Sequence, residues 1–573
     1  MTLIRTLSCA RSMLLAASAL AAAPAILAQP AKDAGLLFVN GSVIVPGGTA
    51  EAVAVRDGSI VAVGTSAEII ALPHAGSTIV DLGGKTLMPG LYDSHVHLYL
   101  AGLELRSCHV SPDAGAAALK ASVAACRAKV KPGEWIVGGS WVAGSFKPGE
   151  QTAHLLDQAS PDNPVLLYDQ SRHSAWANSA ALRLAKISRE TPDPKGGTIE
   201  HDRSGQPTGI LREQAQGLAE AAMPRRSLAE QIQAVKDSSD LMLSYGIVGM
   251  IDAMVTDEWA DSLSAYARSG QLKQHVRGCI AWRWNGMGGE ALFARRQQLA
   301  GGRLSMDCIK MFLDGVPLEA QTAAMLEPYH PLPGASGIAG QPGNHGTLLY
   351  TSDELNRLVT IFDRQGMQVK FHAAGDASVH QAIDAIAAAR KANGWSGARH
   401  NIAHATFISV EDMGRATALD FAWEFSPYFW WPSPNIVKDM ADSIGPERMD
   451  HLWPIRHALD SGALSVVGSD WPVVPAVNPW LAFETLVSRQ TPGATGMVLS
   501  PTERVNREEA LAMLTRNGAA LMNRLDRSGT IEVGKEADVI IVDRNPLTAP
   551  LGTIHDTKVL KTYIDGELIY SAR

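Results

Sequence analysis

The chain has 573 residues, 46% of them hydrophobic and 19% charged, with a net charge of −8 and a pI near 6.1. This is globular composition, with enough apolar material for a large core and at least one accessory domain. No long basic run accompanies the acidic balance, which argues against a nucleic-acid partner.

At the N-terminus, Arg5 and Arg11 precede an alanine-rich apolar run from Met13 to Ala28 that ends in small residues. A basic flank followed by such a run reads as a secretory signal peptide over residues 1–28, and predicts a periplasmic or secreted mature protein. The run is shorter than the ~20 residues a membrane helix needs, so no stable membrane span is expected once it is removed. An uncleaved anchor is the alternative.

Short strand-like runs follow: Leu36–Val39, Ala52–Val55 and Ile60–Val63, punctuated by Asn40-Gly41 and Asp57-Gly58. That is hairpin chemistry. The C-terminus has the same texture, with Ala537–Val542 and Val559–Ile564, the latter leading into Asp565-Gly566. Residues 29–88 and 527–573 are therefore expected to build one small β-sandwich-like domain from both ends of the chain, two separate hairpins being the other reading.

Between them, strand-like segments alternate with helical ones. Ile247–Ile251, His275–Ile280, Cys308–Phe312, Gln368–His372, Asn401–His404 and Leu464–Gly468 are the strands; Leu228–Leu243 and Asp353–Gln365 are helical. Recurring βα units over this length predict an α/β fold, a (β/α)8 TIM-like barrel spanning 89–526. The stretch 104–213 is too long for one βα loop and is expected to be an inserted α/β subdomain. Cys9 lies in the leader, and Cys108, Cys126, Cys279 and Cys308 show no CxxC spacing. They read mostly as small core residues, with a disulfide open in an oxidising compartment, and not as metal ligands.

The strongest local signal is Asp93-Ser94-His95-Val96-His97, placed where a first barrel strand would end. Side chains two apart on a strand face the same side, so His95 and His97 aim two imidazoles at one point and Asp93 shares their parity. In a chain with 17 histidines the motif alone is weak. Lys310 stands inside the apolar run Cys308–Leu313, and a buried amine is costly unless paired, neutralised or modified. His372 and His404 each end a strand, and Asp470 follows another; barrel enzymes place their chemistry at such ends. Each alone reads equally as a core, loop or cap residue. Together and in this order they point to a metal centre.

On these residues the chain resembles the amidohydrolase superfamily, and within it the group related to N-substituted formamide deformylase. Further matching stretches are Leu87–Gly90, His173–Ser179, Gly205–Glu213, Ile309-Lys310 with Asp314-Gly315, His372–Asp376 and Gly468–Pro472. The resemblance implies a divalent-metal site, one or two ions with zinc the first expectation, held by His95, His97, Lys310, His372, His404 and Asp470. It implies a carboxylated Lys310 as the bridging group, with Glu213 a competing acid. Asp470 would be the catalytic base, and His173, Glu213 and Trp471 candidates to meet the substrate. Relatives often carry Glu directly before the second lone histidine; here Ala403 stands there. The expected activity is hydrolysis of an amide-type C–N bond in a small molecule, of the N-acyl or formamide kind. A deaminase, an ester or lactone hydrolase on the same barrel, and a non-catalytic secreted binding protein are the alternatives. Tyr428–Trp431 and Trp471 read as pocket or core aromatics, and oligomeric state is left open.

Overall fold

The computed structural model describes residues 35–573 apart from 74–75, 112–113, 142–144, 148, 170–173, 195–196, 284–285, 318–320, 332–340, 431–433 and 475. The leader expected over 1–28 thus lies outside the described residues. No helix among the described residues is long and apolar enough to cross a membrane.

Eight parallel strands form the central sheet: β1 (Leu91–Val96), β2 (Ile247–Val255), β3 (His275–Ala281), β4 (Leu304–Phe312), β5 (Gln368–Ala373), β6 (Asn401–His404), β7 (Ala422–Phe425) and β8 (Leu464–Val467). They pair in chain order, and the ends meet through a parallel bridge between Val96 and Trp471. Asp470 N–H donates to the His95 carbonyl (2.8 Å) and His97 N–H to the Trp471 carbonyl (2.9 Å). The fold is a (β/α)8 barrel, and the contacts that join its first and last strands involve four expected site residues, His95, His97, Asp470 and Trp471.

Both faces of such strands are covered, so they read as nearly continuous apolar runs. In β2, Ile247-Val248-Gly249-Met250-Ile251-Asp252-Ala253-Met254-Val255, only Met254 is less than buried. The outer helices carry the complementary period. Ser352–Arg364 buries Leu355, Leu358, Val359 and Phe362, one apolar stripe, and the Thr351 hydroxyl accepts from Glu354 N–H to cap it. Leu228–Ser244 starts with a capping box made by Ser227 and Glu230. The sequence located seven of the eight strands, β1 through the motif at its end; β7 escaped it.

Two further sheets are built from the chain ends, a four-stranded one from N-terminal strands alone and a six-stranded one from both ends. In the larger, Val539–Val542 runs antiparallel to Thr86–Pro89, the strand leading directly into β1. The small β domain is built from both termini, so its C-terminal half anchors the approach to the metal-type motif. The insertion folds as a sheet of six strands between Cys108 and Glu213, covered by helices such as Ala116–Arg127 and Ser179–Leu184.

The cysteines correct the sequence reading. All four described cysteines are paired, Cys108 with Cys126 in the insertion and Cys279 with Cys308 in the barrel. Cys279 and Cys308 are lateral partners on β3 and β4, so their β-carbons point to the same face, a neighbourhood that sequence spacing cannot show.

Candidate metal centre

The six expected ligand residues come from five strand ends and converge at the C-terminal mouth of the barrel. His95 Nε2 lies 3.2 Å from Lys310 Nζ and 3.4 Å from Asp470 Oδ1, and His97 Nε2 lies 3.1 Å from the same Asp470 oxygen. His404 Nδ1 is 4.0 Å from Asp470 Oδ2, its ring 5.0 Å from that of His95 and 4.3 Å from that of His372. Ligand atoms of His95, His97 and Asp470 all lie within 4.8 Å of one another, and all three residues are buried.

Backbone geometry places these groups. His404 and Asp470 both have left-handed φ, 75° and 57°. This conformation is costly for a residue with a β-carbon and clusters at functional sites. Gly468 allows β8 to approach β1: a β-carbon there would stand 2.4 Å from that of His95. Asp93 orients main chain, accepting from His95 N–H and Ser469 N–H, both at 3.0 Å. It thus holds β1 and the Asp470 loop in register.

His372 Nε2–H donates to the Gly315 carbonyl (3.0 Å), which leaves Nδ1 as the ring's lone pair, and the ring stacks on Phe312. Asp314 holds this corner together. Its carboxylate accepts from Ala324 N–H, Ala374 N–H, Gly375 N–H and the Ser378 hydroxyl, tying the loop after β4 to the loop after β5.

Sequence reasoning missed two buried charges. Lys370 on β5 donates to Glu424 on β7 and, at 2.8 Å, to the Ser94 carbonyl. Glu424 Oε1 also meets His95 Nδ1 at 2.5 Å, and its Oε2 accepts from Asn401 Nδ2 at 2.7 Å. The argument applied to Lys310 applies equally to Lys370, two residues before His372. Glu424 had its own signal, a lone acid in Phe421-Ala422-Trp423-Glu424-Phe425. It is the lateral partner of Ala403, so the acid lacking at 403 stands one strand over.

His173 lies outside the described residues. Glu213 ends the last strand of the insertion. Trp471 is buried, and it contributes to the site through the main-chain contacts that close the barrel. Trp431 lies outside the described residues, whereas Tyr428 and Trp430 belong to the main core.

Electrostatics favours neutral donors. Burial holds His95 and His404 well below the ordinary imidazole value and His372 at about 4, with the positive charge of Lys310 acting in the same direction. Burial, reinforced by the charge of Lys370, lowers Lys310 to about 7. The donor set fits a cation. His95 Nδ1 meets the Glu424 carboxylate, and its Nε2 faces an Asp470 oxygen at 3.4 Å. Imidazole with carboxylate is a zinc-type set. By contrast, His275, Glu536, Asp538 and Asp565 also cluster, but Arg303 and Arg524 thread that group and supply its positive charge.

Comparison with known proteins agrees with this geometry. The amidohydrolase family model matches residues 78–570. The chain belongs to the amidohydrolase family. It is 30% identical over 542 residues to the N-substituted formamide deformylase of Arthrobacter pascens, covering 91% of this chain and 95% of that one. A putative amidohydrolase of Bacillus subtilis is 28% identical over 550 residues, covering 92% and 97%. An uncharacterized metal-dependent hydrolase from Pyrococcus furiosus superposes with a TM-score of 0.71 at 25% identity, covering 90% of this chain and all of that one. This amidohydrolase is a hydrolase of the metal-dependent kind, from a family that acts on small molecules.

Proposed function

We propose that this amidohydrolase cleaves an amide-type C–N bond in a small N-acyl or formamide-like substrate, with zinc as the divalent ion. The observation that carries the reading is the shared Asp470 oxygen, 3.4 Å from His95 Nε2 and 3.1 Å from His97 Nε2. His95, His97, His372, His404 and Asp470 would hold one or two ions. Lys310, buried and brought down to about 7, has the neutral amine fraction that carbamate formation with carbon dioxide requires. A divalent ion held here brings the pKa of water toward neutrality and polarises a carbonyl oxygen. Asp470 takes the proton as water oxygen bonds to the carbonyl carbon, and returns it to nitrogen as the C–N bond breaks. The products are a carboxylic acid and an amine.

The neighbourhood of His372 weakens a deaminase reading. The acid that follows, Asp376, accepts from Leu326 N–H at 2.7 Å and is engaged there. A periplasmic or secreted location is part of the proposal, supported by the leader-like sequence and by two disulfides, which persist in oxidising compartments.

The experiment is metal analysis of the purified protein together with a screen of N-acyl amides, formamides and esters. Amine release that needs the metal supports the reading. Turnover of esters alone, or release of ammonia from an amino-substituted ring, would replace it.

A further inference from the structure

We infer that Glu424 is a positioning residue for the metal centre: it fixes the His95 ring so that Nδ1 carries the proton and Nε2 faces the ion. The inference rests on the metal-dependent reading above.

Glu424, on β7, is 2% exposed. Three donors from three other strands converge on its carboxylate. Oε2 receives Asn401 Nδ2 from β6 and Lys370 Nζ from β5. Oε1 is left to His95 Nδ1 from β1, at 2.5 Å. An ionised carboxylate only accepts, so the nitrogen that meets it must be the one bearing hydrogen, and a neutral imidazole has one such nitrogen. Nε2, the atom turned toward Lys310 and Asp470, is then the bare donor.

Lys370 holds the arrangement from the other side. It bonds Glu424 and the Ser94 carbonyl together, so the carboxylate is tied to the main chain beside the ring that it orients. A carboxylate behind a metal-binding histidine raises the ring's basicity and removes its rotational freedom; losing such a partner costs about 10–100-fold in metal affinity.

The rival role is structural, with Glu424 serving only as counter-ion to a buried lysine. Removing the acid alone would strand that lysine, so the test removes both charges. E424M/K370M replaces the pair by apolar chains of similar length, a change that buried ion pairs often tolerate. Zinc affinity is measured by chelator competition beside the thermal midpoint. A midpoint near that of the unsubstituted protein with zinc bound about 10–100-fold more weakly supports the positioning role. Affinity within twofold in the folded double variant overturns it. A second measurement needs no variant of Glu424: histidine ring 15N spectra of the zinc-loaded protein, with His95 assigned by its loss in H95N. Hydrogen on Nδ1 supports the inference and hydrogen on Nε2 overturns it. If the unsubstituted protein takes up no zinc, the metal-dependent reading itself fails, an outcome distinct from either.

Discussion

Gly468 packs against His95 so closely that a β-carbon on the glycine would lie 2.4 Å from the β-carbon of the histidine. The contact joins the last barrel strand to the first at the level of the ligand cluster. Gly468→Ala is therefore expected to push the two strands apart. Overpacking of this kind costs about 1–3 kcal/mol, and here the displaced residue is a proposed ligand. The expected outcome is a lower unfolding midpoint together with reduced zinc occupancy. Unchanged occupancy would show that the β1–β8 approach does not set the site.

Asp470 lies between two imidazole nitrogens and ends the same crossing. Asp470→Asn keeps the shape and removes the base. Loss of a general base costs about 10²–10⁴-fold in turnover, and circular dichroism should show a fold close to that of the unsubstituted chain. Steady-state kinetics checks this; full activity in the variant would remove Asp470 from the proposed mechanism.

Acid sensitivity is expected to come partly from outside the site. Asp363 is buried, which raises its pKa, but bonds from His400, Ser396 and Asn393 outweigh burial and hold the carboxyl far below its ordinary range. Arg390 also bonds it, at 2.5 Å. The native form thus takes up its proton only well below the unfolded value of about 3.9. The stabilisation is complete above that value and is lost as pH falls below it. Asp363→Asn should cost about 3–5 kcal/mol near neutrality by breaking a buried pair. The gap from the unsubstituted protein should narrow as pH falls below about 4. Denaturant titrations at several pH values test both signs, and a gap that widens in acid would refute the assignment.

The Cys108–Cys126 disulfide closes a loop with a sequence separation of 18. Chain entropy alone predicts about 3 kcal/mol for a loop of this size. C108A/C126A should lose roughly that amount in denaturant unfolding while keeping the barrel site, which belongs to a different sheet. Peptide mapping without reductant should recover the two fragments joined; free thiols at both positions would contradict the pairing.

The barrel was legible because parallel strands buried on both faces are written as apolar runs, and because a ligand-type residue stands at the end of each of several such runs. Asn401–His404 keeps the bounds the sequence suggests, and β2 extends four residues past them. The failures have physical causes. β7, no shorter than β6 or β8, is a histidine-free aromatic stretch with no ligand-type residue at its end to mark it, and Glu424 went unread with it. Lys370 lies in a strand the sequence did locate, but periodicity gives the side a residue faces and not the partner it meets.

Local sequence by itself determined the alternation of strand and helix, the parity that aims His95 and His97 together, and the positions of Lys310, His372, His404 and Asp470 at or near strand ends. Each depends on neighbours a few residues apart, which backbone stereochemistry fixes. Tertiary structure alone decided that Glu424 sits behind His95, 329 positions away, and that Asp470 meets His97 across 373. Such contacts exist only once the sheet order is set and the eighth strand returns to the first, because lateral neighbours in a barrel are chosen by closure and not by distance along the chain.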